Sequence, residues 1–151
     1  MAQGLRELLI GAWKLASYEE RPVDGSPSFY PMRENPMGII MYTPDGYMSA
    51  QLMKPGRKPF ASGDWFKGSP EDYGREATTY IAFPALFRVN EEKGTLTHSM
   101  FVSLFPNWIG QTQPRVVKIE GDTLHLSSVS PIQSVGKTVT SYLQWKRAEK
   151  Q

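Results

Sequence analysis

His98 and Arg115 are the residues of this 151-residue chain best suited to chemistry. An imidazole titrates near neutrality and can give or take a proton. A guanidinium keeps its charge and offers a fork of donors to a carbonyl or a developing oxyanion. Gln113 stands two residues before Arg115, so on a strand both side chains point the same way. Each residue also has a plain structural reading. His98 can be a core histidine bonded to a strand neighbour, and Arg115 can pair with a loop acid or a carbonyl.

Other chemistries lack their residues. The chain has no cysteine, which removes thiol catalysis, disulfides and thiolate metal sites. No phosphate loop, nucleophile elbow, HExxH or Rossmann fingerprint occurs. The acids fall mostly in turn segments, as Asp45 and Asp122 do for backbone reasons, so no paired carboxylates are expected inside. His125 is expected to face outward, away from His98, so neither a metal site nor a cofactor is expected. A net charge of +2, with the cations dispersed along the chain, gives no footprint for nucleic acid or anionic membrane. The first fifteen residues lack the apolar core of a secretory signal, and no apolar run approaches the ~20 residues of a membrane helix. The expectation is a cytoplasmic protein, with a homo-oligomer left open.

The elements that must position these residues read as strands. One domain is expected over 1–151, long enough to bury a core. Twelve prolines, thirteen glycines and 12% aromatic residues describe short strands separated by turns. Residues 3–10 can form one helical turn, with Leu5, Leu8 and Leu9 as a plug. Strands follow at 13–18, 37–43 and 47–53, the latter two joined by the Pro44-Asp45-Gly46 turn. A helix is expected from Ser69-Pro70 to about Ala82, with Pro84 ending it. Then 85–90, 95–104, 111–120, 123–128 and 137–147 all read as β. The segment 54–67 is expected to be a solvated flap with Phe60, Trp65 and Phe66 tucked beneath. Eight strands, or nine with a short one near Phe29–Tyr30, and one helix predict a closed antiparallel barrel able to hold one small ligand.

Alternation sorts the faces. Leu96, His98, Met100, Val102 and Leu104 share one side, expected to face inward. So do Gln113, Arg115, Val117 and Ile119; Leu124 and Leu126; and Val139, Ser141, Leu143, Trp145 and Arg147. The predicted interior is apolar, with a few polar groups in it: His98, Gln113, Arg115, and among Ser17, Tyr42 and Ser141. Buried polar groups need partners, supplied by protein, water or ligand. A mostly apolar cavity with a few convergent polar groups is how small-molecule sites are built.

Two sets of residues carry a resemblance. Gly11-Ala12-Trp13 on the first strand, with Trp145-Lys146-Arg147 on the last, resembles the lipocalin signature. There the tryptophan closes one barrel end and the arginine packs across it, which assigns Trp13 and Arg147 a structural cation–π closure. The segments Met41–Met53, Thr97-His98, Leu104–Arg115 and Gly121–Ser127 resemble the single-domain lipocalin-like proteins of bacteria and fungi. That resemblance marks His98, Asn107, Gln113 and Arg115 as possible site residues. The chain departs from it at Tyr80–Phe87, where relatives tend to be small and glycine-containing, and at Ser99, where a second histidine is frequent.

The resemblance implies an all-β, closed antiparallel lipocalin-like barrel of eight to nine strands, with one helix covering an end or side. The expected partner is a small, largely apolar organic molecule. Some proteins of this kind in biosynthetic clusters resemble cofactor-free cyclases or isomerases. The expected function is therefore cofactor-independent isomerisation or cyclisation in secondary metabolism, with Arg115 and His98 catalytic. The expected substrate contacts are Gln113, Met100, Asn107, Trp108, Tyr47 and Ser49. The alternative is a non-catalytic carrier of a hydrophobic metabolite.

Overall fold

The structure, a computed structural model, describes residues 2–151. Nine strands form one antiparallel sheet: β1 (Gly11–Pro22), β2 (Met37–Tyr42), β3 (Tyr47–Met53), β4 (Tyr80–Asn90), β5 (Thr95–Met100), β6 (Thr112–Glu120), β7 (Thr123–Ser128), β8 (Ile132–Ser134) and β9 (Lys137–Arg147). The order is β1-β2-β3-β4-β5-β6-β7-β9, and β9 pairs back onto β1. This closes an eight-stranded barrel of consecutive neighbours, leaving no free edge around it. The short β8 adds a ninth strand alongside the start of β9.

Local chemistry explains the turns and the closed end. Gly46 takes φ 97° in the β2–β3 turn, where a side chain would be strained. The helix α1 (Leu5–Leu9) plugs one end, with Leu9 fully buried. There the Trp13 Nε1–H donates to the Leu9 carbonyl at 2.9 Å. The Arg147 guanidinium lies 3.6 Å from the Trp13 ring centroid and donates to the carbonyls of Leu8 and Ile10. The expected Trp13–Arg147 closure is therefore present.

Three expectations need correction. The helix α2 (Pro70–Thr78) starts as expected, with Ser69 accepting from the Asp72 N–H and Pro70 in the first turn. It stops four residues before Ala82, because Tyr80–Phe83 pair with β3. Pro84 lies within β4 rather than ending a helix. It is tolerated because β5 pairs with β4 only from Ala85 onward, so one edge of Pro84 needs no ladder donor. The strand expected over 95–104 ends at Met100. The Met100 carbonyl accepts from Gly110 N–H, and residues 101–111 form a loop containing a single 3-10 turn, Pro106–Trp108. Val102 and Leu104 are consequently half-exposed rather than inward. In the 54–67 segment, Trp65 and Phe66 are 80% and 87% exposed, not tucked under. Only Phe60 packs, edge-on against Tyr73.

A fourth difference concerns β1. Its pairing with β9 shifts between Leu15 and Ser17 through a bulge. Trp13 and Leu15 point inward before it; Tyr18, Glu20 and Pro22 point inward after it. Uninterrupted alternation would have placed Ser17 inside and Tyr18 outside. The bulge exchanges them.

Candidate functional site

The end of the barrel away from α1 encloses a cavity of about 520 Å3. That lies within the range of small-molecule sites. Its apolar wall includes Ile40, Leu52, Ile81, Phe83 and Leu126. Trp108, held edge-on between Phe83 at 5.7 Å and Phe105 at 5.4 Å, lines it from the 101–111 loop. A separate cleft of about 360 Å3 lies outside the barrel between residues 54–60 and α2. It is solvent-facing, its lining includes Arg57 and Lys58, and it holds no buried polar group.

Strand pairing brings the polar residues together. His98 on β5 is opposite Gln113 on β6, and both line the cavity with Arg115. The Arg115 guanidinium donates to the Gln113 side-chain oxygen at 2.7 Å and to the Pro114 carbonyl at 2.8 Å. Among the described residues no carboxylate forms an ion pair with it. Burial lowers the Arg115 pKa, with the nearby tyrosines Tyr42 and Tyr18 acting in the opposite direction. A half-buried cation without an anion is costly, and its remaining N–H groups can donate to a ligand.

His98 is buried and shares a 2.8 Å hydrogen bond between Nε2 and the Tyr42 hydroxyl. Its Nδ1 has no partner. Burial, reinforced by the Arg115 charge, pushes its pKa down to about 3. The imidazole is thus neutral at physiological pH. Burial holds the Tyr42 hydroxyl far above its usual pKa. Trp145 lines the cavity, and its Nε1 has no partner either.

Of the expected contacts, His98, Gln113, Arg115, Asn107 and Trp108 line the one cavity. Met100 does not: it faces inward but is packed in the core. Tyr47 and Ser49 lie on the outer face of β3, because Met48, Ala50 and Leu52 take the inner one. Tyr47 is half-exposed and meets Phe101 edge-on.

The expectation of an acid-free interior is overturned by Glu20, which is 1% exposed. Its Oε1 accepts from the Tyr18 hydroxyl at 2.6 Å and from the Ser134 hydroxyl at 2.9 Å; its Oε2 has no partner. Tyr18 lines the cavity, and its pKa is raised well above the usual value, first by burial and then by the Glu20 charge. Only the β1 bulge turns these two residues inward, and the local sequence carries no clear signal for it.

Among the described residues no three His, Asp or Glu side chains gather as a metal site. No helix is long and apolar enough to cross a membrane.

A closed up-and-down barrel with a ligand-sized, largely apolar cavity is the class that this fold and site define. The chain belongs to the lipocalin-like domain family, whose model matches residues 10–148. Over 106 residues it is 36% identical to the 4'-hydroxy-3'-methoxypropiophenone carrier protein ppsC of Aspergillus oryzae, covering 66% of this chain and 96% of that protein. An uncharacterized protein from Bacteroides eggerthii aligns in structure over 91% of this chain and 98% of its own, at 14% identity and a TM-score of 0.44.

Proposed function

We propose that this protein binds and carries a small, largely apolar molecule whose oxygen acceptor rests against Arg115 and Gln113. The observation that carries this reading is the Arg115 guanidinium, half-buried in the wall of an apolar cavity without a carboxylate partner. A ligand oxygen would take up its free donors, and hydrogen bonds to a charged group contribute about 1.5–3 kcal/mol. The aromatic and aliphatic wall would bury the rest of the ligand, at roughly 25 cal/mol per Å2 of apolar surface. An aryl ketone suits both ends of the cavity. The Aspergillus relative, named as the carrier of such a ketone, supports this class of ligand.

A second reading is cofactor-independent isomerisation or cyclisation in secondary metabolism. It is favoured by the neutral His98, which lines the cavity with Arg115 and whose Nδ1 has no partner. In that reading Arg115 and Gln113 stabilise an enolate and His98 hydrogen-bonds or shuttles a proton.

Titration with para-hydroxyacetophenone, read by tryptophan fluorescence, tests the binding reading, since Trp108 and Trp145 line the cavity. Saturable quenching is expected, weakened about 10- to 100-fold in Arg115→Met, which corresponds to the loss of charged hydrogen bonds. Quenching that is absent, or equal in the two proteins, would overturn it. Chromatography of an enolisable aryl ketone after long incubation separates the two readings. Unchanged ligand supports a carrier. Product formation that is lost about 10²–10³-fold in Arg115→Met supports catalysis.

A further inference from the structure

The carrier reading leaves Glu20 without a role, although it is among the most costly groups in the molecule to bury. An isolated carboxylate in an apolar interior is strongly unfavourable unless hydrogen-bonded, and one of its two oxygens has no partner. The register explains how it relates to the cavity. Glu20 on β1 is opposite Ser141 on β9. The Ser141 N–H donates to the Ser128 hydroxyl on β7 at 3.0 Å. Ser128 is opposite Arg115 on β6. One cross-strand row therefore runs Glu20–Ser141–Ser128–Arg115. Its ends are separated by about 14 Å of wall, three strand spacings. Carboxylate and guanidinium stand at opposite ends, with only two small hydroxyl side chains between, and they form no ion pair.

The Tyr18 hydroxyl is the link between Glu20 and the cavity. Its proton is committed to Glu20 Oε1 at 2.6 Å, so toward the cavity it can only accept. Arg115 can only donate. The site thus pairs an acceptor backed by a carboxylate with a cationic donor. A single ligand O–H satisfies both, giving its proton toward Tyr18 and its oxygen lone pair to Arg115. A plain ketone satisfies only Arg115.

We infer that the cavity takes molecules bearing a weakly acidic O–H, a phenol or an enol, and that Glu20 is their proton acceptor through Tyr18. The ligand O–H bond breaks, and its proton passes to the Tyr18 oxygen. The Tyr18 proton passes to Glu20 Oε1. The electron pair stays on the ligand oxygen as an oxyanion beside Arg115. Glu20 ends as the neutral acid, so the cavity's net charge is unchanged. The other titratable side chains on this inner wall are His98 and Tyr42; Glu19, Arg21 and His125 lie on the outer face. This inference rests on the binding reading above and adds to it the ionisation state of the ligand and the group that sets it.

The test uses para-nitrophenol, whose phenol and phenolate forms absorb differently, with para-nitroanisole as the analogue lacking the O–H. Both are titrated with the full-length protein at a pH below the free phenol's own pKa. Binding is read by tryptophan quenching and ionisation by the phenolate band. With the wild type, the bound phenol is expected to show the phenolate band at a pH where the free probe shows none, with no net proton released to solvent on binding. In Glu20→Gln it is expected to remain bound but neutral, and Tyr18→Phe should behave likewise while leaving Glu20 in place. The anisole should bind all three proteins without a preference for the wild type. If either variant fails to fold by circular dichroism, the other decides. A wild-type complex holding the neutral phenol would overturn the inference while leaving the binding reading standing. So would an undiminished phenolate band in the folded variants, which would assign the ionisation to Arg115 alone. Failure of both probes to quench would overturn the binding reading itself.

Discussion

The Tyr42 hydroxyl and the His98 Nε2 lie 2.8 Å apart, each the other's hydrogen-bond partner, at a point sealed from solvent. One proton bridges the hydroxyl oxygen and Nε2, and Nδ1 has no partner. Burial, reinforced by the Arg115 charge, holds the imidazole neutral, with a pKa of about 3. Unfolding restores a pKa near 6.5. Between those two values the unfolded chain binds more protons than the folded one, so stability falls as the pH drops from about 6.5 toward about 3. The His98 contribution to that slope is at most about 1.4 kcal/mol per pH unit. Urea unfolding as a function of pH should show it, and His98→Gln should flatten it. A slope that is the same in both proteins would remove His98 as its source.

Arg115→Met should leave the ligand-free protein as stable as the wild type, or raise its unfolding free energy by about 1–3 kcal/mol. Methionine keeps the length and apolar packing while removing a half-buried charge that has no ion-pair partner. Chemical denaturation measures this. A loss of several kcal/mol would show that Arg115 is a structural group.

At the closed end the expectation reverses. Arg147 combines the 3.6 Å contact with the Trp13 ring and bonds to the Leu8 and Ile10 carbonyls. A lysine there keeps the charge but not the fork that reaches both carbonyls. Arg147→Lys should cost about 1–3 kcal/mol in denaturation experiments, with ligand affinity unchanged because the residue is remote from the cavity.

Gly38 on β2 sits where a Cβ would meet the Gln51 carbonyl oxygen at 2.5 Å and the Leu15 Cβ at 3.2 Å. Backbone cannot yield as a flexible side chain can, so Gly38→Ala should separate β2 from β3 locally. A destabilisation of about 1–3 kcal/mol is expected, typical of overpacking. Hydrogen exchange should rise first at Ile40 and Ala50, which face each other across that pair.

Much of the barrel was legible in the sequence because its strands obey a local rule. In β6, β7 and β9 the period of two runs without interruption, so the inward placement of Gln113, Arg115, Leu126, Ser141 and Trp145 followed from one polar residue known to face water. The turn residues around Gly46 and the capping residues of α2 are likewise local, since they act through the backbone of their own neighbours. The same alternation in β3 excludes Tyr47 and Ser49 from the cavity, a consequence that reading the segment by its polarity alone overlooks.

What the tertiary structure decided is where that local rule breaks. Ala16 looks like any strand residue, yet the β1–β9 ladder skips it, pairing Leu15 with Trp145 and Ser17 with Gln144, a one-residue shift. With a side-chain period of two, one residue is enough to turn Tyr18 and Glu20 from the solvent face to the cavity face. Tyr80–Phe83 became strand rather than helix because β3 offered them a full set of backbone partners, a gain no local propensity contains. Val102 and Leu104 stayed outside because β5 ended where the Met100 carbonyl met Gly110 across the loop. The sequence determined which residues could face inward together; only closure of the barrel decided which of them share the cavity with Arg115, because cross-strand register is set between segments distant in the chain.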